Sequence, residues 1–85
     1  MEKSINSAQY RVFLKVLRET RRKTGLTQVD LAERIGESQS LISKCERGER
    51  RIDVIELRAF CRAFGIGLRQ FAALLEQAIE SRRCT

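Results

Sequence analysis

The sequence predicts an all-α fold, and three observations carry that prediction. The residues are largely good helix formers, and proline is absent from all 85 positions. The strict apolar–polar alternation of a half-buried strand is missing. Capping residues recur along the chain, each followed by an apolar stripe at helical spacing and then by a glycine, which is how a sequence starts and stops helices. The expected architecture is a compact five-helix bundle.

The first helix starts after Asn6 or Ser7, with Gln9 standing three residues after Asn6 as in a capping box. Tyr10, Phe13, Leu14 and Leu17 then recur at helical spacing and make a core-facing stripe. Arg11, Lys15, Arg18, Arg22 and Lys23 fall mainly on other faces. Those near the C-terminal end suit the helix dipole, and the set offers either a solvated face or a positive flank beside phosphate. Gly25 ends the helix.

Thr27, with Asp30 three residues on, is an N-cap with an acidic N3 partner. It opens a second helix over about 28–35 whose short apolar face is Leu31, Ala32 and Ile35. Gly36 closes that helix by taking the left-handed conformation. Ser38 caps a third helix, about 39–47, in which Leu41, Ile42 and Cys45 are apolar, and Gly48 stops it. Two short helices joined by a glycine-containing turn make a helix-turn-helix. Asp53, followed by Glu56, caps a fourth helix over about 54–64 that carries Leu57, Phe60, Cys61 and Phe64 on one face and ends at Gly65. The fifth, near 68–81, has Phe71, Leu74, Leu75 and Ile79 with Ala72, Ala73 and Ala78 between them. That surface is wider than one stripe, so it either completes the core or pairs with the same helix of a second subunit.

Composition narrows the class of partner. Lys and Arg number 17 against 11 Asp and Glu, a formal charge of +6, which favours a polyanion and most often nucleic acid. A basic helix lying on a membrane would set a Trp/Phe/Leu face against its cations, and the chain has no Trp. No apolar run approaches the ~20 residues that a bilayer crossing needs. The cysteines, Cys45, Cys61 and Cys84, form no CxxC pair, and histidine is absent. They read as reduced thiols of a cytoplasmic protein, Cys45 and Cys61 as small core side chains. With no base beside a cysteine, no glycine-rich phosphate loop and no paired carboxylates, neither catalytic residues nor a metal or cofactor is expected. The length fits one domain over 1–85, with a core of about 7–81 and a frayed tail over 82–85 in which Cys84 is placed to cross-link two copies on oxidation.

The third helix has two faces. Ile42 and Cys45 turn to the core with Leu31 and Ile35, which leaves Gln39, Ser40, Ser43 and Lys44 outward. A glutamine at the N-terminal end of a helix can meet an adenine edge with two hydrogen bonds, and a lysine one turn on can donate to guanine. A polar outer face is also what any short surface helix shows. Helix N-termini attract phosphate through unsatisfied amides, which makes the cap residues Thr27 and Ser38 candidate phosphate contacts.

The stretch GLTQVDLAERIGESQSLISKCERGERRID, residues 25–53, resembles the Cro/repressor-type helix-turn-helix, also called XRE-like, of phage repressors and many small bacterial regulators. The matching pieces are Gly25-Leu26-Thr27-Gln28, Leu31-Ala32, Gly36, Ile42-Ser43, and Glu46 with Gly48; the likeness runs from about Arg18 to Phe71, through FCRAFGIGLRQF. The resemblance implies a lambda-repressor-like DNA-binding domain and a transcriptional regulator that reads double-stranded DNA. Carried over residue by residue, it implies that Gln28 contacts a phosphate and steadies the first base-reading side chain. Gln39, Ser40 and Lys44 take positions that face base edges, and Ser43 one suited to a backbone or edge contact. Arg47, Arg50 and Arg51 stand where the family touches the sugar-phosphate chain, and Arg21 and Glu46 where a buried ion pair links the first and third helices. The sequence departs from the family at Ser40, shorter than the usual Gln or Arg, and at Gly67, where many relatives carry a Ser or Asp cap.

One reading head covers few base pairs, and specific sites are commonly bound by two heads a DNA turn apart. Two-fold symmetry is the commonest oligomer symmetry. The expectation is a homodimer on a palindromic operator, joined through Phe71, Leu74, Leu75 and Ile79, with the third helix in the major groove. A repressor is expected, since no separate effector domain and no site for a small-molecule effector is evident. The alternative is an interaction module on the same scaffold, such as the antitoxin of a toxin–antitoxin pair or an adaptor.

Overall fold

In the computed structural model the described residues are 7–83, and they form helices α1 (Ala8–Lys23), α2 (Gln28–Ile35), α3 (Gln39–Glu46), α4 (Val54–Phe64) and α5 (Leu68–Arg83). Local chemistry sets most of these boundaries. Thr27 and Asp30 satisfy each other's backbone amides at 3.0 Å each, and Asp53 and Glu56 do the same at 2.7 and 3.0 Å, so α2 and α4 both begin with complete capping boxes. Ser38 Oγ accepts from the Leu41 amide at 3.1 Å to start α3. α1 is capped by Ser7, whose Oγ accepts from the Tyr10 amide. That makes Tyr10 rather than Gln9 the N3 residue, and the other candidate cap, Asn6, lies outside the described residues.

Two helix ends differ from expectation. α3 ends at Glu46 with Arg47 as its C-cap, and α5 continues past 81 to Arg83, taking up the first half of the expected tail; Cys84 lies outside the described residues.

α2 lies against α3 and α4, while α5 lies against α1 and α4, and these contacts enclose one apolar core. Leu17, Leu31, Ile42, Cys45, Cys61 and Phe71 are its fully enclosed members. Two more core residues, Leu26 and Ile52, come from connecting segments, where helical periodicity has no say. The second is anchored by its amide, which donates to Tyr10 Oη at 3.1 Å and so ties the α3–α4 connection to α1.

Phe71 corrects the expected dimer surface. It is 0% exposed and meets Phe13 edge to face at 5.9 Å, so it belongs to the core and offers nothing to a partner. α5 divides lengthwise: Phe71 points inward, Leu75 and Ile79 are half-buried, and Leu74 is 41% exposed. Among the described residues no helix is long and apolar enough to cross a membrane.

Two glycines shape the helix-turn-helix. Gly36, between α2 and α3, has φ 74°, and Gly48, after α3, has φ 80°; both lie in the left-handed region that a side chain disfavours. A Cβ at Gly36 would meet open space, whereas one at Gly48 would stand 3.1 Å from Leu14 Cδ1. Gly36→Ala should therefore cost about 1–2 kcal/mol from backbone strain alone, and Gly48→Ala should cost more. Urea unfolding of the two variants checks that order.

Candidate nucleic-acid interface

The interface is built on a buried charge pair. Arg21, in the last turn of α1, and Glu46, the last residue of α3, are both buried. Arg21 Nε donates to Glu46 Oε2 at 2.7 Å and Nη2 to Oε1 at 3.1 Å, while Nη1 donates to the Leu26 carbonyl at 2.9 Å. Gln28 Nε2, at the start of α2, donates to the same Glu46 Oε1 at 3.0 Å, and Arg18 Nη1 reaches the Glu46 backbone carbonyl at 3.0 Å. Among the described residues no buried side-chain nitrogen or oxygen lacks a partner. That completeness is what a desolvated ion pair requires, since an unpaired buried charge costs several kcal/mol. The network pins the end of α3 to α1 and to the start of α2. Gln28 thereby spends one side-chain N–H inside the protein, leaving one to offer outward.

With its end pinned and Ile42, Cys45 and Glu46 buried, α3 presents Gln39, Ser40 and Lys44 to solvent, and Ser43 half-buried beside them. No acid stands in the first turn of α3, so its N-terminal amides face an approaching anion without competition from a carboxylate there. α2 differs. Asp30 already accepts from the Thr27 amide, and this bond lowers its carboxyl below the usual range, so the Thr27 end is partly supplied with negative charge from within.

The three arginines expected at the sugar-phosphate chain have separate fates. Arg50 forks onto Glu56, Nη2 to Oε2 at 2.6 Å and Nη1 to Oε1 at 3.1 Å, and its Nη1 also reaches the Arg51 carbonyl at 3.2 Å and lies 3.8 Å from Cys45 Sγ. It clamps the loop to α4 and stays half-exposed. Arg51 stacks its guanidinium 5.3 Å above the Tyr10 ring. Arg47 is exposed at the end of α3, with Nε on Glu49 Oε2 at 2.8 Å and Nη1 on Ser43 Oγ at 2.6 Å.

A groove of about 630 Å³ runs beside the buried pair and adds cations not assigned individually from sequence. Arg11, Arg18 and Arg22 of α1 line it together with Gln28, Arg47 and Glu49. The signal was available, because positions i, i+7 and i+11 lie on one helical face. The thiols of Cys45 and Cys61 are buried, and burial pushes Cys61 up to about 11 and also raises Cys45. No cluster of His, Cys, Asp or Glu suited to a metal occurs among the described residues.

This arrangement of α2, turn and α3 is matched by the helix-turn-helix family model HTH_3 over residues 17–71. The chain belongs to that family. An XRE-family like protein from Pseudomonas syringae pv. tomato str. DC3000 is 44% identical, over 86% of this chain and 89% of its own, with a TM-score of 0.79. The restriction-modification controller protein C.Esp1396I has the same fold, with a TM-score of 0.82 at 24% identity over 89% of this chain and 99% of its own. No curated protein sequence matches. As an XRE-like helix-turn-helix protein, the chain is a DNA-binding transcriptional regulator.

For this regulator the buried pair makes a definite prediction. Arg21→Met or Glu46→Leu alone should destabilise by about 3–5 kcal/mol, and the double variant by less than the sum, because it leaves no charge stranded. A urea double-mutant cycle measures that coupling.

The Arg50–Glu56 clamp predicts a pH dependence. Arg50, then the Asp53 amide, hold the Glu56 carboxyl below its ordinary value, so its folded pKa is the lower one. Its contribution to stability is complete at neutral pH and fades as the pH falls below the ordinary glutamate value of ~4.3. Glu56→Gln should thus be less stable than the parent at pH 7, with the difference closing in acid; thermal unfolding across pH checks this.

Proposed function

We propose that this regulator binds a two-fold symmetric duplex site as a homodimer, lays the outer face of α3 in the major groove, and represses by occupying that site. The observation that carries the reading is the division of α3: Ile42, Cys45 and Glu46 are locked into the core, while Gln39, Ser40 and Lys44 stand outside on a helix whose end is fixed. Gln39 in the first turn suits an adenine edge and Lys44 a guanine. Ser40 lies between them with shorter reach. Arg47 and the α1 arginines supply the phosphate-neutralising charge, with the amides at Ser38 as a further anchor. Such charge gives affinity that falls with salt.

The dimer follows from the small footprint of one head, and Leu74 with Leu75 and Ile79 on α5 gives it an apolar seam. Repression by occupancy needs no further surface: a duplex covered by the dimer is closed to other proteins. The setting is the cytoplasm, where bacterial or phage DNA lies.

Selection from a random duplex pool at near-physiological salt should enrich an inverted repeat with half-sites about one helical turn apart. Changing Gln39 and Lys44 together to alanine should abolish the preference for that repeat and leave salt-sensitive bulk binding. Unchanged preference in the double variant would reject α3 as the reader. Placing the enriched site within a reporter promoter tests the sign of regulation.

A further inference from the structure

Ser43 and Arg47 stand one turn apart on the stripe of α3 that begins at Gln39, and they are joined. Arg47 Nη1 donates to Ser43 Oγ at 2.6 Å, while its Nε donates to Glu49 Oε2 at 2.8 Å. The guanidinium is thus held from one edge by a carboxylate and delivers its other edge to a hydroxyl. A serine hydroxyl ordinarily serves as donor or acceptor, but a guanidinium only donates. With a lone pair taken by Arg47, the hydroxyl has its proton to give.

We infer that Arg47 is a positioning residue for base reading: fixed by Glu49, it sets the Ser43 hydroxyl as a donor toward an acceptor on a base edge. The inference rests on α3 lying in the major groove. Guanine O6 and N7, adenine N7 and thymine O4 would satisfy such a donor, whereas cytosine presents only its amino group there. The base under Ser43 is therefore biased away from cytosine, whose amino group could use only the one lone pair that Arg47 leaves. The arrangement also has a cost in affinity. Glu49 brings a carboxylate into a groove lined by Arg11, Arg18 and Arg22, where it opposes phosphate. An arginine serving only as a phosphate contact would gain nothing from that neighbour.

The test is binding of the parent and three variants to the selected duplex and to its single-base variants, at two salt concentrations. Ser43→Ala should lose a preference of about 2- to 10-fold at one base pair, the scale of a single hydrogen bond. Arg47→Lys keeps the charge but cannot fork to both Ser43 and Glu49; it should lose the same preference at the same pair with the salt slope unchanged. Glu49→Ala should bind every duplex more tightly while the ratio at that pair falls. All three positions lie outside the enclosed core. If Arg47→Lys retains the full ratio at the Ser43 base pair, or loses preference evenly at all pairs, Arg47 is a phosphate contact only and the inference is overturned. A parent that prefers no duplex at all would instead overturn the reading beneath it.

Discussion

The helix-turn-helix of this protein hangs on one carboxylate. α2 and α3 have eight residues each, and isolated helices of that length do not persist in water. Glu46 ends α3 and accepts from Arg21 and Gln28, so one buried side chain fastens the second short helix to the first and both to the longer α1. A pair of apolar side chains at 21 and 46 would fill the same space and would hold α3 less directionally. The forked bonds of a guanidinium fix orientation as well as distance, and orientation is what a helix needs when its outer side chains must meet fixed groups on a ligand.

The same accounting separates the cations. A formal charge of +6 says that the chain suits a polyanion, but not which side chains meet it. Arg21 is consumed by Glu46, Arg50 by Glu56, and Arg34 donates to the Ala63 carbonyl to tie α2 to the end of α4. These three hold helices together. Arg11, Arg18 and Arg22 share the groove with Arg47, and their charge acts where the buried pair anchors α3.

Much of this was legible from residue order. The cap residues and glycines mark the helix boundaries because their chemistry is local: Thr27 with Asp30, Asp53 with Glu56, Gly36 and Gly48 act within a turn of where they stand. The outward set on α3 follows from periodicity in the same way. What periodicity cannot give is the identity of the covering surface. Phe71 and Leu74 belong to one broad apolar face, and only the packing of α1 against α5 decides that the first is enclosed and the second is not. The bond of Arg50 to Glu56 was not legible either, because its partner lies across a loop and beyond a helix start, where sequence spacing carries no geometry. Leu26 and Ile52 entered the core from connections for the same reason.

The lock and the outward face share one helix but no side chain. Gln39, Ser40 and Lys44 are absent from the network of Arg21, Gln28 and Glu46, so mutational drift at those three positions leaves the buried lock intact. On the proposed reading, lineages carrying this scaffold can exchange targets by small, individually viable steps, and an engineer can randomise the same three positions for the same reason. Ser43 is the position least free to wander, because it answers to Arg47 behind it as well as to whatever lies in front.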